Sequence, residues 1–394
     1  MIKELSLYLH IPYCLSKCTY CDFFSISCGK DFVPQAYVDS LCKEIEFRLN
    51  AYVQLHKDFV IKTIYIGGGT PSLLSAQQLS EITSTIFKFT VSDNLEFTIE
   101  VNPDDVTIEL LQTLEQNKIT RISCGVQSFS DTVLKSVHRR ADLSQILSAF
   151  DIICSNWKGI FSIDLICGLP GETKESLLHG LQLLCSRQIN GQKIHHISFY
   201  SLCVEEETPL GKDICSNRIN FDQDECDNLW LAGRNFLLEN GYKQYEVSNF
   251  CLENFECVHN MTYWKHQDYI GCGAGATGTI YFNDGTGKRT TTTRDLNLYI
   301  QPWTNEPPSE TENLTAQTSE FEYFMMGLRT CHGVSEKDYE TIFGKAMPLK
   351  YISLFTELEK QGKCKITQDE NSEKLNFSLT QNGLLFLNQI LLSF

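Results

Sequence analysis

The chain has no apolar run of about 18 residues, the length a membrane-spanning helix needs, so no such span is expected. It is also short of positive charge, with 33 lysines and arginines against 49 aspartates and glutamates and a net charge of −16. Phosphate backbones recruit basic faces, so neither a nucleic-acid partner nor an activity on transfer RNA is expected. Residues 1–5 carry neither the charged region nor the apolar core of a secretory signal and run straight into a strand-like segment. Internal repeats and low-complexity tracts are missing too. Cysteine is abundant, at 17, an odd number. Most of these residues stand singly in apolar runs, as Cys124, Cys154, Cys167 and Cys185 do, where a free thiol behaves as a small hydrophobe. That usage suits a reducing compartment better than a disulfide framework, and a cytoplasmic protein is expected.

With 394 residues, 42% of them hydrophobic and 21% charged, the chain has material for a large α/β domain and a smaller one. Strand-type runs at 6–11, 62–66, 95–101, 121–126, 160–167 and 196–202 alternate with helical stretches at 37–49, 76–87, 108–116, 143–154 and 175–187. Ser75 and Thr173 are candidate caps. This is the pattern of a parallel sheet with crossover helices. Six such units predict a partial, TIM-like barrel, two units short of eight. The expected division is a barrel over 1–210, a barrel extension over 211–300, and a mostly helical, winged-helix-like domain over 301–394. The last boundary rests on the prolines at 302, 307 and 308. The final segment reads helix, helix, helix, short strand, helix, without a basic stripe that would suggest DNA.

Three cysteines, Cys14, Cys18 and Cys21, stand at C-x3-C-x2-C spacing just after the first strand. A fourth nearby ligand is missing. A fully ligated four-iron cluster takes four cysteines, so three thiolates would leave one iron open to chemistry. Zinc is the alternative, but it wants a fourth ligand from a second Cys or His pair. In α/β barrels function sits at the carboxyl ends of the strands. There the chain places the cysteine loop, Gly67-Gly68-Gly69-Thr70-Pro71, Glu100 and Asn102, Gln127, Asp164, and Tyr200-Ser201. The glycines permit close backbone approach to a ligand or form a tight turn. Glu100 could accept from ribose hydroxyls and Arg139 could pair with a carboxylate; a solvated or capping charge is the competing reading for each.

The cysteine spacing resembles the signature of the radical S-adenosylmethionine (SAM) superfamily. Within it, the chain is similar to the oxygen-independent coproporphyrinogen III oxidase group and its haem-chaperone branch. The blocks that carry the resemblance are LYLHIPYC, IYIGGGTPSLL, IEVNPDD, RISCGVQSF, VHRR, IDLICGLPGET, YEVSNF, CVHNMTYW and YIGCGAGA. It implies a radical SAM partial barrel in which Cys14, Cys18 and Cys21 hold a 4Fe-4S cluster, with an electron from the cluster cleaving SAM to a deoxyadenosyl radical. It further implies SAM contacts from Tyr8, Tyr20, Gly68, Gly69, Thr70, Glu100, Gln127, Arg139, Asp164 and Ser201, and an electron donor such as a flavodoxin or ferredoxin.

Two functions share these motifs: oxidative decarboxylation of coproporphyrinogen III propionates, and binding of haem for delivery to haem-accepting proteins. The dehydrogenase branch continues its cysteine loop as C-G-C, whereas Cys21 is followed by Asp22 and Phe23. Only 13 residues precede Cys14, against a longer leader in the dehydrogenases, and the H-N-x-x-Y-W block from His259 to Trp264 resembles the chaperone branch. Those departures favour the chaperone, with coproporphyrinogen oxidase activity not expected; another radical SAM reaction is a third possibility, since one barrel hosts many. His259 is then a candidate axial haem ligand, with Cys257 a second. The competing reading is that the block is packed structure, with His259 hydrogen-bonded in a core. A monomer or a dimer is compatible with all of this.

The cysteine spacing yields a direct prediction. Cys14→Ala, Cys18→Ala and Cys21→Ala should each abolish the broad visible absorbance of the anaerobically reconstituted cluster. Normal iron and sulfide content in the variants would refute the ligand set.

Overall fold

The structure, a computed structural model, describes residues 2–29, 32–369 and 372–394. Its core begins with a strict two-residue alternation. In β1 (Lys3–Ile11), Leu5, Leu7, Leu9 and Ile11 are buried on one face, and successive side chains of a strand point to opposite faces, so Ser6, Tyr8 and His10 share the other. The same alternation runs through β2 (Phe59–Gly68), β3 (Val91–Val101), β4 (Arg121–Gln127), β5 (Ile160–Cys167) and β6 (His196–Ser201). One face, with Ile64, Phe97, Ile122, Ile163 and Ile197, packs under the helices. The other presents Thr63, Glu96, Arg121, Ser162 and His196, all polar and all buried.

Helices α1 (Gln35–Leu55), α2 (Ala76–Ile86), α3 (Ile108–Gln116), α4 (Leu143–Asn156) and α5 (Lys174–Cys185) connect these strands. Their starts are set by side chains that accept the first free amides. Ser75 with Gln78, Asp142 with Gln145, and Thr173 with Ser176 form reciprocal capping boxes, and Thr107 caps α3.

From β6 through β5, β4, β3, β2 and β1 every pairing is parallel. β1 is not an edge. After α6 (Gln223–Glu239) the chain adds β7 (Lys243–Gln244) and β8 (Asn249–Cys251) antiparallel beside β6, and then sends β9 (Tyr269–Cys272) across to pair with β1 in parallel. β10 (Thr277–Tyr281), β11 (Gly287–Thr292) and β12 (Ser309–Leu314) continue that edge antiparallel. The result is a 12-stranded sheet wound into an open barrel. Between its two late halves lies α7 (Val258–Trp264), which closes the barrel floor: Thr262 shares a hydrogen bond with Ser6 at 2.7 Å, and His259 one with Thr63 at 2.8 Å.

Residues 211–300 extend the barrel, supplying strands to both edges of its sheet. The last domain does not begin at 301: β12 pairs with β11 along its length, Gly287 opposite Leu314, so the sheet runs through the proline-rich stretch and the break falls at Thr315. Beyond it, α8 (Ala316–Gly327), α9 (Glu336–Phe343) and α10 (Leu349–Lys360) pack around their own core of Phe324, Tyr351, Phe355 and Phe377. The single short strand expected there is a three-stranded sheet, order β13 (Val334–Ser335), β15 (Leu375–Leu379), β14 (Cys364–Gln368). Its long pair is the wing of a winged-helix-like unit, completed by short helices at Gln381–Leu385 and Leu387–Leu391.

Glu44 ties α1 to the late half of the sheet. This wholly buried carboxylate accepts from Arg48 Nε at 2.7 Å, Gly273 N and Thr292 Oγ1 at 2.8 Å each, and Tyr299 OH at 2.9 Å. Removing one member of a buried charged network costs about 3–5 kcal/mol. Glu44→Ala should lower chemical-denaturation stability on that scale, with Glu44→Gln losing less; an unchanged midpoint for Glu44→Ala would show that the network does not carry the junction.

Candidate functional site

The loop that follows β1 is stapled at its stem. Residues Tyr13–Cys14 pair in parallel with Ile26–Ser27, and Cys28 N donates to Cys14 O at 2.8 Å. Its tip is tied to two short helices that follow other strands, since Thr19 N donates to Val137 O at 3.2 Å, at the end of the helix Asp131–Ser136, and Thr19 O accepts from Leu210 N at 2.9 Å, in the helix Pro209–Cys215. Within the tip, Cys21 N donates to Cys18 O at 3.3 Å. Burial pushes the Cys21 thiol up, while the Phe23 amide and Lys17 pull it the other way; coordination deprotonates such a thiol.

Cys14, Cys18 and Cys21 line one side of a cavity of about 480 Å³ at the carboxyl ends of the strands. Among the described residues, no three His, Cys, Asp or Glu side chains converge on a point as a single ion requires. A loop that presents three partly exposed thiols around the edge of a cavity fits a polynuclear cluster better than one tetrahedral zinc.

The opposite wall comes from β2 to β6. Gly68 sits at φ +113°, and a Cβ there would meet the His10 ring at 2.5 Å; one on Gly69 would meet Tyr13 O and Ile11 O at 2.7 and 2.8 Å. Gly69 N donates to Ile11 O at 2.7 Å. The glycines are therefore required by the cysteine loop and β1, which lie against them. Glu100 accepts from Tyr65 OH at 2.9 Å and from Gly68 N at 3.0 Å. Burial and the nearby Asp164 carboxylate push the Glu100 carboxyl up to about 7, so it can hold or release a proton near neutrality. Asp164, raised by burial in its turn, accepts from Ser123 Oγ at 3.0 and 3.1 Å. Gln127 ends β4 at φ +69°, where the β4–β5 register slips between Gly125 and Gln127. Such a bulge re-aims a side chain, here into the cavity. Arg139 bridges the two walls: its Nη2 donates to Asn102 Oδ1 at 2.9 Å and to Gly125 O, and its Nη1 lies 3.6 Å from Cys18 Sγ.

Tyr20, Gly68, Gly69, Thr70, Glu100, Gln127, Arg139, Asp164 and Ser201 thus surround the same cavity as the three cysteines. Tyr8 does not. Its hydroxyl is hydrogen-bonded to His10 Nδ1 at 2.9 Å, and its ring lies 6.2 Å from that of Tyr65, the neighbour that does line the cavity. His259 is a second departure. It is 1% exposed, with Nδ1 engaged by Thr63 and Nε2 by Tyr263 OH at 2.8 Å, and its backbone N donates to Glu96. Burial holds its pKa down at about 3, so the ring is neutral, yet neither nitrogen is available to a metal. Cys257, 2% exposed, makes its contact with Glu96 as well. In this arrangement the H-N-x-x-Y-W block is the packed floor of the barrel, and the axial-ligand expectation for His259 is corrected accordingly.

Sequence reasoning missed Tyr65 and Arg140. Arg140 forks onto Asp104 and Asp105, each at 2.6 Å, and fixes the turn after β3 beside its cavity-facing neighbour Arg139. The inward register of Tyr65 was recoverable from the alternation I-x-I around it. Nothing local marks which of two consecutive arginines faces inward.

An open parallel barrel with a three-cysteine loop and a carboxylate-lined mouth is the scaffold of the radical SAM proteins, and a profile of the radical SAM superfamily matches residues 8–184. The chain is 32% identical to heme chaperone HemW of Haemophilus influenzae, covering 99% of this chain and 97% of that one. It is 31% identical to heme chaperone HemW of Bacillus subtilis, covering 98% and 97%. By structure it is similar to coproporphyrinogen III oxidase (HemN) from Escherichia coli, with a TM-score of 0.80, 21% identity, and coverage of 100% of this chain and 90% of that one. The chain belongs to the HemW family of the radical SAM superfamily. Membership implies a 4Fe-4S cluster and SAM, and the residues at this cavity fit both.

The floor geometry predicts the phenotype of one substitution. His259→Ala removes a bond from Thr63, which keeps its bond to Ser6, and leaves the Tyr263 hydroxyl without its partner, at about 1 kcal/mol or more for each lost bond. Thermal denaturation should show a clear loss of stability, with the spectrum of any bound haem unmoved in the fraction that stays folded. An unchanged melting temperature together with an altered haem spectrum would restore the ligand role.

Proposed function

We propose that this protein binds haem and hands it to haem-requiring proteins in the cytoplasm, on a radical SAM scaffold supplied with electrons by a small donor such as a flavodoxin or ferredoxin. The observation that carries the reading is relationship over nearly the whole chain to proteins named as heme chaperones, joined to Cys21-Asp22-Phe23 where the decarboxylating branch has C-G-C. Likeness to the coproporphyrinogen oxidase, at 21% identity, speaks for the fold alone.

In this reading Cys14, Cys18 and Cys21 hold the cluster. When bound, that group supplies an open iron for the amino and carboxylate groups of SAM and the electron for its reductive cleavage. The chain's residues orient and enclose. Glu100 is placed to accept from ribose hydroxyls, and the Gly68-Gly69-Thr70 turn sets the wall beside the loop. Arg139 carries positive charge to the cluster side of the cavity, where a methionyl carboxylate would be attracted. At the rim Phe23 lines the cavity yet is 70% exposed, an aromatic face open to a flat apolar ligand.

A paired assay on one anaerobic preparation tests this. Haem in one tube should bind with a shifted absorbance spectrum; coproporphyrinogen III with SAM and a reductant in the other should release no carbon dioxide. Carbon dioxide release would overturn the carrier reading in favour of the dehydrogenase.

A further inference from the structure

Behind the cavity wall formed by Tyr200 and Ser201 lies a second cavity of about 260 Å³, between α6, the β7–β8 turn and the C-terminal domain. Its charged residue is Arg234. This side chain is 7% exposed and, among the described residues, forms no ion pair with any carboxylate. Only Nε is spoken for, donating to Gln244 Oε1 at 2.8 Å, while the Gln244 amide donates in turn to Val247 O at 3.2 Å. Trp230 steadies the guanidinium from the side, with ring and Cζ 5.9 Å apart, and is itself anchored through Nε1 to Phe199 O at 3.1 Å. Glu246, two residues past Gln244, accepts instead from Ser248 N at 3.2 Å. Both Nη groups of Arg234 are thus left without a protein acceptor on the wall of a cavity.

Both Nη groups reach the open space of the cavity and are free to meet a ligand there, and partial burial lowers the Arg234 pKa with only the Cys331 thiol acting the other way. The two arginines that line the main cavity are committed, Arg139 to Asn102, Gly125 and the cysteine loop and Arg140 to Asp104 and Asp105. A planar fork held in place by a glutamine and a tryptophan, with its two outer nitrogens free, matches a carboxylate.

We propose that Arg234 is the anchor of a carboxylate-binding subsite adjoining the SAM cavity. The space accepts a short acid-bearing arm and the edge of its parent, with Leu384 and Leu385 of the C-terminal domain as the apolar side. Since Tyr200 and Ser201 line both cavities, a ligand lying across the mouth can place one arm here. Assigning that arm to a haem propionate rests on the haem-carrier reading; a free small dicarboxylate presents the same chemistry.

Two arms of one experiment separate these sources. In the first, wild-type protein and Arg234→Met are titrated with haem and with haem dimethyl ester, whose propionates are neutral. Loss of one charge-assisted hydrogen-bonded contact is worth roughly tenfold in affinity, so wild type should prefer haem by about that factor and Arg234→Met should not discriminate, with Arg234→Lys recovering part of the preference. In the second, succinate is added without haem, and the melting temperature of the wild type is compared with that of Arg234→Met. Succinate stabilising only the wild type assigns the subsite to a free acid. Cluster absorbance after reconstitution reports whether the variants fold. Equal binding of haem and its ester by wild type, together with no succinate effect, overturns the subsite while leaving the carrier reading in place. Failure of wild type to bind haem at all removes the carrier reading, and the succinate arm alone then decides for or against Arg234.

Discussion

A barrel whose inner face is polar must satisfy every group it encloses, because an unpaired buried donor or charge costs more than most contacts return. Here it is met in tiers for most groups, with Thr98 Oγ1 and Arg121 Nη2 left without a hydrogen bond among the described residues. At the floor, Glu96 accepts from the amides of Val258 and His259 at 3.1 and 2.8 Å and lies 3.5 Å from Arg121 Nη1, so one carboxylate both starts α7 and offsets a buried guanidinium. Beside it Ser162, His196 and Tyr245 form a chain of bonds at 2.7 and 2.9 Å. Above the floor, Ser123 with Asp164 and Tyr65 with Glu100 complete the tier that borders the cavity. Most polar groups are paired below, and carboxylates with raised pKa stand above, where a ligand can reach them.

This tiering explains why the conspicuous late motif is architectural in this structure. The block Cys257 to Trp264 holds the residue types of a metal or cofactor site, but its histidine, threonine and cysteine are taken up by the packing: His259 by Thr63 of the sheet and Tyr263 of its own helix, Thr262 by Ser6, Cys257 by Glu96. The floor helix supplies what the inner face of the sheet lacks.

Much of the site was legible from the chain, because the function-bearing residues end strands and strand ends are marked. The three-cysteine spacing, the glycine run after β2, and Glu100, Gln127 and Asp164 all fall where a regular βα repeat puts them. Tyr8, carried over from the family resemblance, sits level with Tyr65 on the neighbouring strand. Interactions between distant segments were not legible: the pairing of β9 with β1, the four donors gathered by Glu44, and the strand β12 hidden among prolines depend on partners far off in sequence. The second strand of the wing, L-N-F-S-L, did carry an alternating pattern, but in a stretch read by its helices. The mouth owes its shape to local sequence, whereas the seal beneath it depends on residues brought together from opposite ends of the fold.

The strand β1, which carries the cysteine loop, borders β2 on one side and β9 on the other, and its Ser6 meets Thr262 across 256 positions of chain. A polypeptide emerging from the ribosome can therefore lay down six strands and five helices while the edge of its first strand stays bare and the barrel's underside stays wet. Contacts of such separation form late and slowly. The cysteine loop is synthesised well before β9, yet the strand that bears it is boxed in on both flanks only once β9 exists, so a cluster held by that loop would mature only after the late half of the sheet has formed.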